Sequence, residues 1–270
     1  MTMRHADSAG QAPIRVWGLS DFHLHFATMP AELAFITPAH QPPWLTNAKK
    51  IARNWAEKVG PRDIVLVPGD ASSARNHAEV QRDLAWLAKR RCAAMVMSPG
   101  NHDLWFGRIA GVQRILRPGQ YAVDGTAADL GPAIVCGARS VPTPDDPMPV
   151  DSKAEQVADT AYAKLKLALA DAVALRDAAG NDKPIIVLWH HPPFDRWGRP
   201  DPVVALMSEA GVKACVYGHV HTKSQWQTVP QGEISGISFA CVAADSLGFR
   251  PRKIMELTES SDPAPETDAD

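Results

Sequence analysis

The chain has no apolar run of about 18 residues, so nothing in it reads as a helix built to span a membrane. Its first thirteen residues, Met1 to Pro13, are polar and contain no apolar core of a leader peptide, so no secretory signal is expected. Cysteine is scarce: Cys92, Cys136, Cys215 and Cys241 lie far apart and form no C-x-x-C pair. That excludes a disulfide framework and a thiolate zinc site, and fits buried free thiols in a reducing, cytoplasmic setting. Charge of one sign is lacking too. The net charge is −2, and Glu259, Asp262, Glu266, Asp268 and Asp270 gather at one end, leaving a slightly basic remainder. There is no basic stretch of the kind that tracks a polyanion, so a small anionic substrate is expected and a nucleic-acid partner is not. No repeat of 20–50 residues is visible, which excludes a solenoid. The sequence sets neither an oligomeric state nor a partner protein.

What is present is a set of five short clusters of oxygen and imidazole donors. They are Asp21-Phe-His23, Gly69-Asp70, Gly100-Asn101-His102-Asp103, His190-His191-Pro192-Pro193 and Gly218-His219-Val220-His221. Most follow an apolar, β-rich run: Ile14 to Leu19, Asp63 to Val67, Ala93 to Met97, Ile185 to Trp189 and Val212 to Tyr217. Between these runs the apolar spacing becomes helical, at Thr46–Val59, around Val80–Leu87, over 152–178 and over 201–210. This is a β-α-β rhythm whose donors fall at the carboxyl ends of strands, where open α/β sheets bind ligands.

The clusters run from Asp21 to His221, so dividing the chain between them would divide the site. The expectation is therefore a disordered lead over 1–13, one α/β domain over 14–258 and an acidic, disordered tail over 259–270. Residues 24–44 carry Pro30, Pro38, Pro42 and Pro43 and read as a long functional loop. A second proline-rich loop is expected from Pro142 to Pro149 within a stretch (109–151) of short strands and turns. Ser224–Val229, Ile237–Val242 and Lys253–Leu257 read as further strands.

The residue types point to metal chemistry. Positions i and i+2 of an extended strand share a face, so Asp21 and His23 suit one cation. Asp70 has two carboxylate oxygens and can serve two cations about 3.5–4 Å apart. Asn101 adds a neutral oxygen, and His219 and His221 an imidazole each. Two divalent ions set against Asp21, Asp70 and a bridging hydroxide leave a charge of about +1, a favourable potential for a phosphate ester. Mn²⁺, Fe and Zn²⁺ all accept such a mixed nitrogen and oxygen donor set.

In this order, the clusters resemble the signature of the calcineurin-like metallophosphoesterases: D-x-H, G-D, G-N-H-[DE], H and G-H-x-H. Stretches such as Lys50-Ile-Ala-Arg-Asn-Trp55 and Asp245-Ser-Leu-Gly-Phe-Arg-Pro251 are similar to a group of uncharacterised bacterial predicted phosphohydrolases. The resemblance implies a four-layer α/β/β/α sandwich with mixed sheets and two bound metal ions. One ion would take Asp21, His23, Asp70 and His221, and the other Asp70, Asn101, His190 and His219. The residues alone leave His190 and His191 as alternatives; the family pattern aligns with His190. It also implies that His102 stands over the leaving-group oxygen as proton donor or transition-state stabiliser.

The implied activity is metal-dependent hydrolysis of a small phosphate ester by attack of a metal-bridging hydroxide, with a phosphodiesterase favoured. A phosphomonoesterase or protein phosphatase is the alternative, ahead of a nuclease or a non-catalytic scaffold. The protein-phosphatase reading is weakened because Gly69-Asp70 continues as Ala-Ser-Ser-Ala-Arg75 and position 103 is aspartate rather than glutamate. Substrate contacts are expected from Arg75, His77, Trp105 and Phe194, which follow the clusters in sequence.

Overall fold

The computed structural model describes residues 12–28, 43–143, 152–180 and 182–257. Most of the expected lead, the expected tail, residues 29–42 of the first long loop and residues 144–149 of the second lie outside the described residues.

Two sheets face each other. The first is built from β1 (Ile14–Gly18), β2 (Ile64–Pro68), β3 (Ala94–Ser98) and β4 (Gln120–Ala122), all parallel. The last strand, β11 (Arg252–Leu257), joins its edge antiparallel to β1. The second sheet has a parallel centre of β6 (Ile134–Gly137), β7 (Ile185–Leu188), β8 (Val212–Tyr217) and β10 (Ile237–Cys241). Antiparallel edges close it: β5 (Thr126–Asp129) beside β6, and β9 (Gly232–Ile234) beside β10.

Each central strand is apolar on both faces because both are covered. In β2 the period of two is strict. Ile64 and Leu66 pack between the sheets with Val135, Leu188 and Val216, while Val65 and Val67 pack outward. The outward cluster takes in Ile51 and Trp55 of α1 (Pro43–Lys58) and Val80 and Leu84 of α2 (His77–Leu87). In β7, Ile186 and Leu188 face the other sheet, and Ile185 and Val187 pack with α4 (Ser152–Ala178) and α5 (Pro202–Glu209). Three apolar layers separate four layers of secondary structure, as expected for the α/β/β/α sandwich.

Two expectations need correction. Ser224–Val229 is not a strand: Lys223–Thr228 forms a short helix, α6. Thr222 and Gln225 each bond the other's backbone N–H through their side chains, a capping box that starts a helix there. The Trp226 indole on this helix donates to the Val220 carbonyl at 2.6 Å. Within 109–151, Ile109–Gln113 is likewise a short helix, α3, rather than a strand or turn.

Candidate active site

All five clusters lie at the carboxyl ends of strands, and the two sheets meet at that edge. Beyond β1, Ser20 pairs with Ala243, the segment following β10: its N–H donates to the Val242 carbonyl at 2.9 Å, and Ala244 N–H returns to Ser20 at 3.1 Å. The next residue, Asp21, is thereby carried from the first sheet against the second. Its carboxylate accepts the His219 N–H at 3.1 Å.

The backbone here is unusual in the positions that matter. Asp21, His23, Asp70 and His219 all have positive φ, at 58°, 45°, 52° and 68°. Left-handed backbone is uncommon outside glycine and tends to persist where surrounding structure enforces it, often at functional sites. Two glycines make the close approach possible. A Cβ on Gly100 would collide with Asp70 Oδ1, and one on Gly218 with the Asp21 carboxylate and Ser20 Oγ.

Asp70 is fully buried and its two oxygens have different surroundings. Oδ1 accepts the His102 N–H at 2.8 Å. Oδ2 has no hydrogen-bond partner, yet it lies 3.4 Å from His190 Nε2 and 3.8 Å from His23 Nε2. Burial pushes the Asp70 carboxyl up, but the neighbouring His190 and the His102 N–H outweigh it and hold the group below the usual carboxylate range.

The imidazoles are aimed by partners behind them. His190 Nδ1 meets the Pro68 carbonyl at 2.9 Å, which turns Nε2 toward Asn101 Oδ1, also 2.9 Å away. His219 Nδ1 reaches the same Asn101 oxygen at 3.1 Å. On the other side, His221 Nδ1 meets Asp245 Oδ2 at 2.9 Å and its Nε2 lies 3.4 Å from Asp21 Oδ1. Such outer partners fix the tautomer and orientation of a metal-binding histidine. Hydrogen bonds with Asp21 and Asp245 raise His221 to about 10, and for His190 the pull of Asp70 and Asp21 exceeds the opposing effect of burial. Burial lowers His23 and His219 instead.

Among the described residues, three donor groups have their ligand atoms within 4.8 Å of one another: Asp21, His23 and His221; Asp21, Asp70 and His190; and His190, His191 and His219. They overlap at Asp21 and His190 to make one continuous cluster. The orphaned, buried Asp70 Oδ2, ringed by imidazole nitrogens, is an atom that a cation would satisfy, so these residues fit bound metal.

His191 is tied to Ser140: its backbone N–H donates to Ser140 Oγ at 2.7 Å, its Nδ1 lies 2.8 Å from the same oxygen, and its ring is 4.2 Å from that of His219. Burial and the charges of His190 and His219 lower its pKa to about 2, which keeps the ring neutral. His102 is exposed, with its ring 5.2 Å from that of His23. Arg75 and His77 flank the cap of α2, where the Arg75 N–H donates to Glu79 and the His77 carbonyl accepts from Gln81.

Trp105 and Phe194, expected as substrate contacts, are both buried and pack with the core. Trp105 is buried and its indole donates to Asp103 Oδ1 at 2.9 Å; Phe194 is buried against Phe239. An aromatic after a motif is equally well used to pack the loop that carries it. Leu104, between His102 and Trp105, is the exposed apolar side chain instead. Sequence reasoning passed over Arg139, Ser140 and Asp245 as site residues. None carries a motif, although Asp245 opens the stretch Asp245 to Pro251 that is similar to the bacterial predicted phosphohydrolases.

A profile of the calcineurin-like phosphoesterase family matches residues 14–223, and the chain belongs to that family. No curated protein matches it. Among solved structures, a protein of unknown function from Aquifex aeolicus is similar at 11% identity, with 89% of this chain and 95% of that chain covered and a TM-score of 0.42. Membership implies metal-dependent hydrolysis of phosphate esters, typically with two divalent metals, and the histidine and aspartate groups above can hold metal. Among the described residues, no helix is long and apolar enough to cross a membrane.

Proposed function

We propose that the protein is a dinuclear metal-dependent phosphohydrolase that acts on a small phosphate ester, with diesters preferred. One observation carries the reading: the buried Asp70 oxygen without a hydrogen-bond partner, facing His190 and His23 where both sheets end. Asp21, His23, Asp70 and His221 would hold one ion, and Asp70, Asn101, His190 and His219 the other. When bound, the ions supply Lewis-acid charge and the acidified water that attacks phosphorus. The protein's own residues do the rest. Pro68 and Asp245 keep imidazole lone pairs turned inward, and Asp70 ties the His102 backbone to the cluster. From the exposed mouth His102 delivers a proton to the departing alkoxide. The diester preference comes from the family resemblance.

The test pairs elemental analysis with rates on bis-p-nitrophenyl phosphate and p-nitrophenyl phosphate. Metal-dependent turnover, lost together with metal in Asp70→Ala and Asn101→Ala, is expected. Variants that keep both metal and rate would overturn the two-metal reading, and a monoester rate far above the diester rate would reverse the substrate preference.

A further inference from the structure

We propose that Arg139 is a positioning residue for the reaction, one that sets Asn101 and His102 in place from the opposite sheet. The proposal rests on the reading of the site just given. Arg139 follows β6 in the second sheet, whereas the loop it grips, residues 100–106, follows β3 in the first. Its guanidinium donates to the carbonyls of Gly100 at 2.6 Å, Asp103 at 3.2 Å and Phe106 at 3.3 Å. The same loop has its N–H groups collected from the other side. The Asp103 carboxylate accepts from Gly100 at 2.9 Å, from the Trp105 indole at 2.9 Å and from Ser72 of the neighbouring segment at 3.0 Å. Donors and acceptors at the loop's base are thus satisfied by the Asp103 carboxyl group and the Arg139 guanidinium, while Asn101 and His102 remain exposed at its tip.

Arg139 is itself anchored. Its N–H donates to Asp124 Oδ1 at 2.9 Å, and Asp124 Oδ2 takes the Lys164 ammonium of α4 at 2.6 Å. The adjacent residue, Ser140, holds His191 beside the proposed ligand His190. Two successive residues therefore fasten the Asn101–His102 loop and the His190–His191 segment to the end of one strand. Asn101 Oδ1 must meet His190 and His219 across the junction of the sheets, so its placement depends on a tie across that junction. Arginine suits the task because its planar fork can serve several diverging carbonyls at once, which the single point charge of lysine cannot.

The experiment measures kcat, KM, metal content and unfolding for wild type, R139A, R139K, H102A and R139A/H102A on bis-p-nitrophenyl phosphate. R139A should lose about 10–100-fold in kcat, the cost typical of removing a partner that orients a metal site, with a smaller change in KM. R139K should fall between R139A and wild type. In the H102A background the R139A change should cost less than it does alone, since the part acting through His102 is already gone and only the part acting through Asn101, read as metal content, remains. Millimolar guanidinium should restore part of the R139A rate and none of the H102A rate. If R139A does not fold, R139K alone decides: wild-type kcat in R139K overturns the proposal. Full multiplication of the R139A and H102A losses would also overturn it, by assigning Arg139 a merely structural role. Wild-type protein that holds no metal and turns over no ester would sink the site reading together with this one. Wild-type turnover with unaltered Arg139 variants would sink the positioning role alone.

Discussion

Asp63 and Asp70 bracket the same buried strand, β2, and both are almost inaccessible, at 3% and 0% exposure. Their surroundings separate a structural aspartate from a chemical one. Asp63, at the amino end, is saturated. It accepts from the Trp17 indole at 2.9 Å, from Gly60 N–H at 2.8 Å and from Arg15 N–H at 3.3 Å, with the Arg15 guanidinium 2.9 Å away. Asp70, at the carboxyl end, has left-handed backbone and one oxygen with no hydrogen bond, facing imidazoles. Hydrogen bonding at Asp63 is complete and stabilises the fold. At Asp70 it is incomplete in the one direction where the neighbouring donors converge. Burial alone does not distinguish them; satisfaction does.

The comparison can be broken most forcefully at Asp70. Asp70→Asn should lower hydrolysis by more than the roughly 100-fold typical of losing an outer partner, and should abolish metal binding with the fold retained. Stoichiometric metal in that variant would end the distinction. Next comes the outer shell: Asp245→Ala should weaken metal affinity about 10–100-fold by freeing the His221 ring, a loss that titration with excess Mn²⁺ or Zn²⁺ should reverse. Metal itself sharpens the contrast. At about 100 times its Kd, a cation should stabilise wild type by about 2.7 kcal/mol in denaturant unfolding and leave Asp70→Asn unmoved.

At the other end of the strand, Asp63→Ala should cost about 2–3 kcal/mol of stability, since it strands a buried indole N–H and a backbone N–H, while kcat stays at the wild-type level. A kcat loss in proportion to the stability loss would contradict the division of labour. The smallest effect is on acid stability. Burial raises the Asp63 pKa, but its donors outweigh burial and leave it lowered in the folded protein. Its contribution is therefore fully present above its unfolded value of about 3.9 and is lost as pH falls through the folded value. Asp63→Asn should flatten the acid limb of the stability curve below about pH 4, and an unchanged limb would remove Asp63 as its source.

The β-α-β rhythm and the donor clusters were legible because they are local: an apolar run marks a strand covered on both faces, and a short motif carries its own turn. What escaped was set by distant partners. Trp105 and Phe194 follow the clusters in sequence, but only the fold shows Trp105 buried with its indole on Asp103 and Phe194 buried against Phe239. Ser224–Val229 reads as a strand by itself, but the reciprocal Thr222–Gln225 cap starts a helix at Lys223. Arg139 stands 36 residues and one sheet away from the carbonyl of Asp103, and no spacing rule connects them.

By itself the sequence determined which donors exist, their order and the strand ends that carry them, since these follow from residue chemistry and periodicity. Tertiary structure alone decided that Asp21 crosses to the second sheet beside His219 and that Asp70 keeps one oxygen open between His190 and His23. It also decided that Arg139 stands behind the Asn101–His102 loop and Asp245 behind His221, because hydrogen-bond satisfaction is a property of neighbours in space and not of neighbours in the chain.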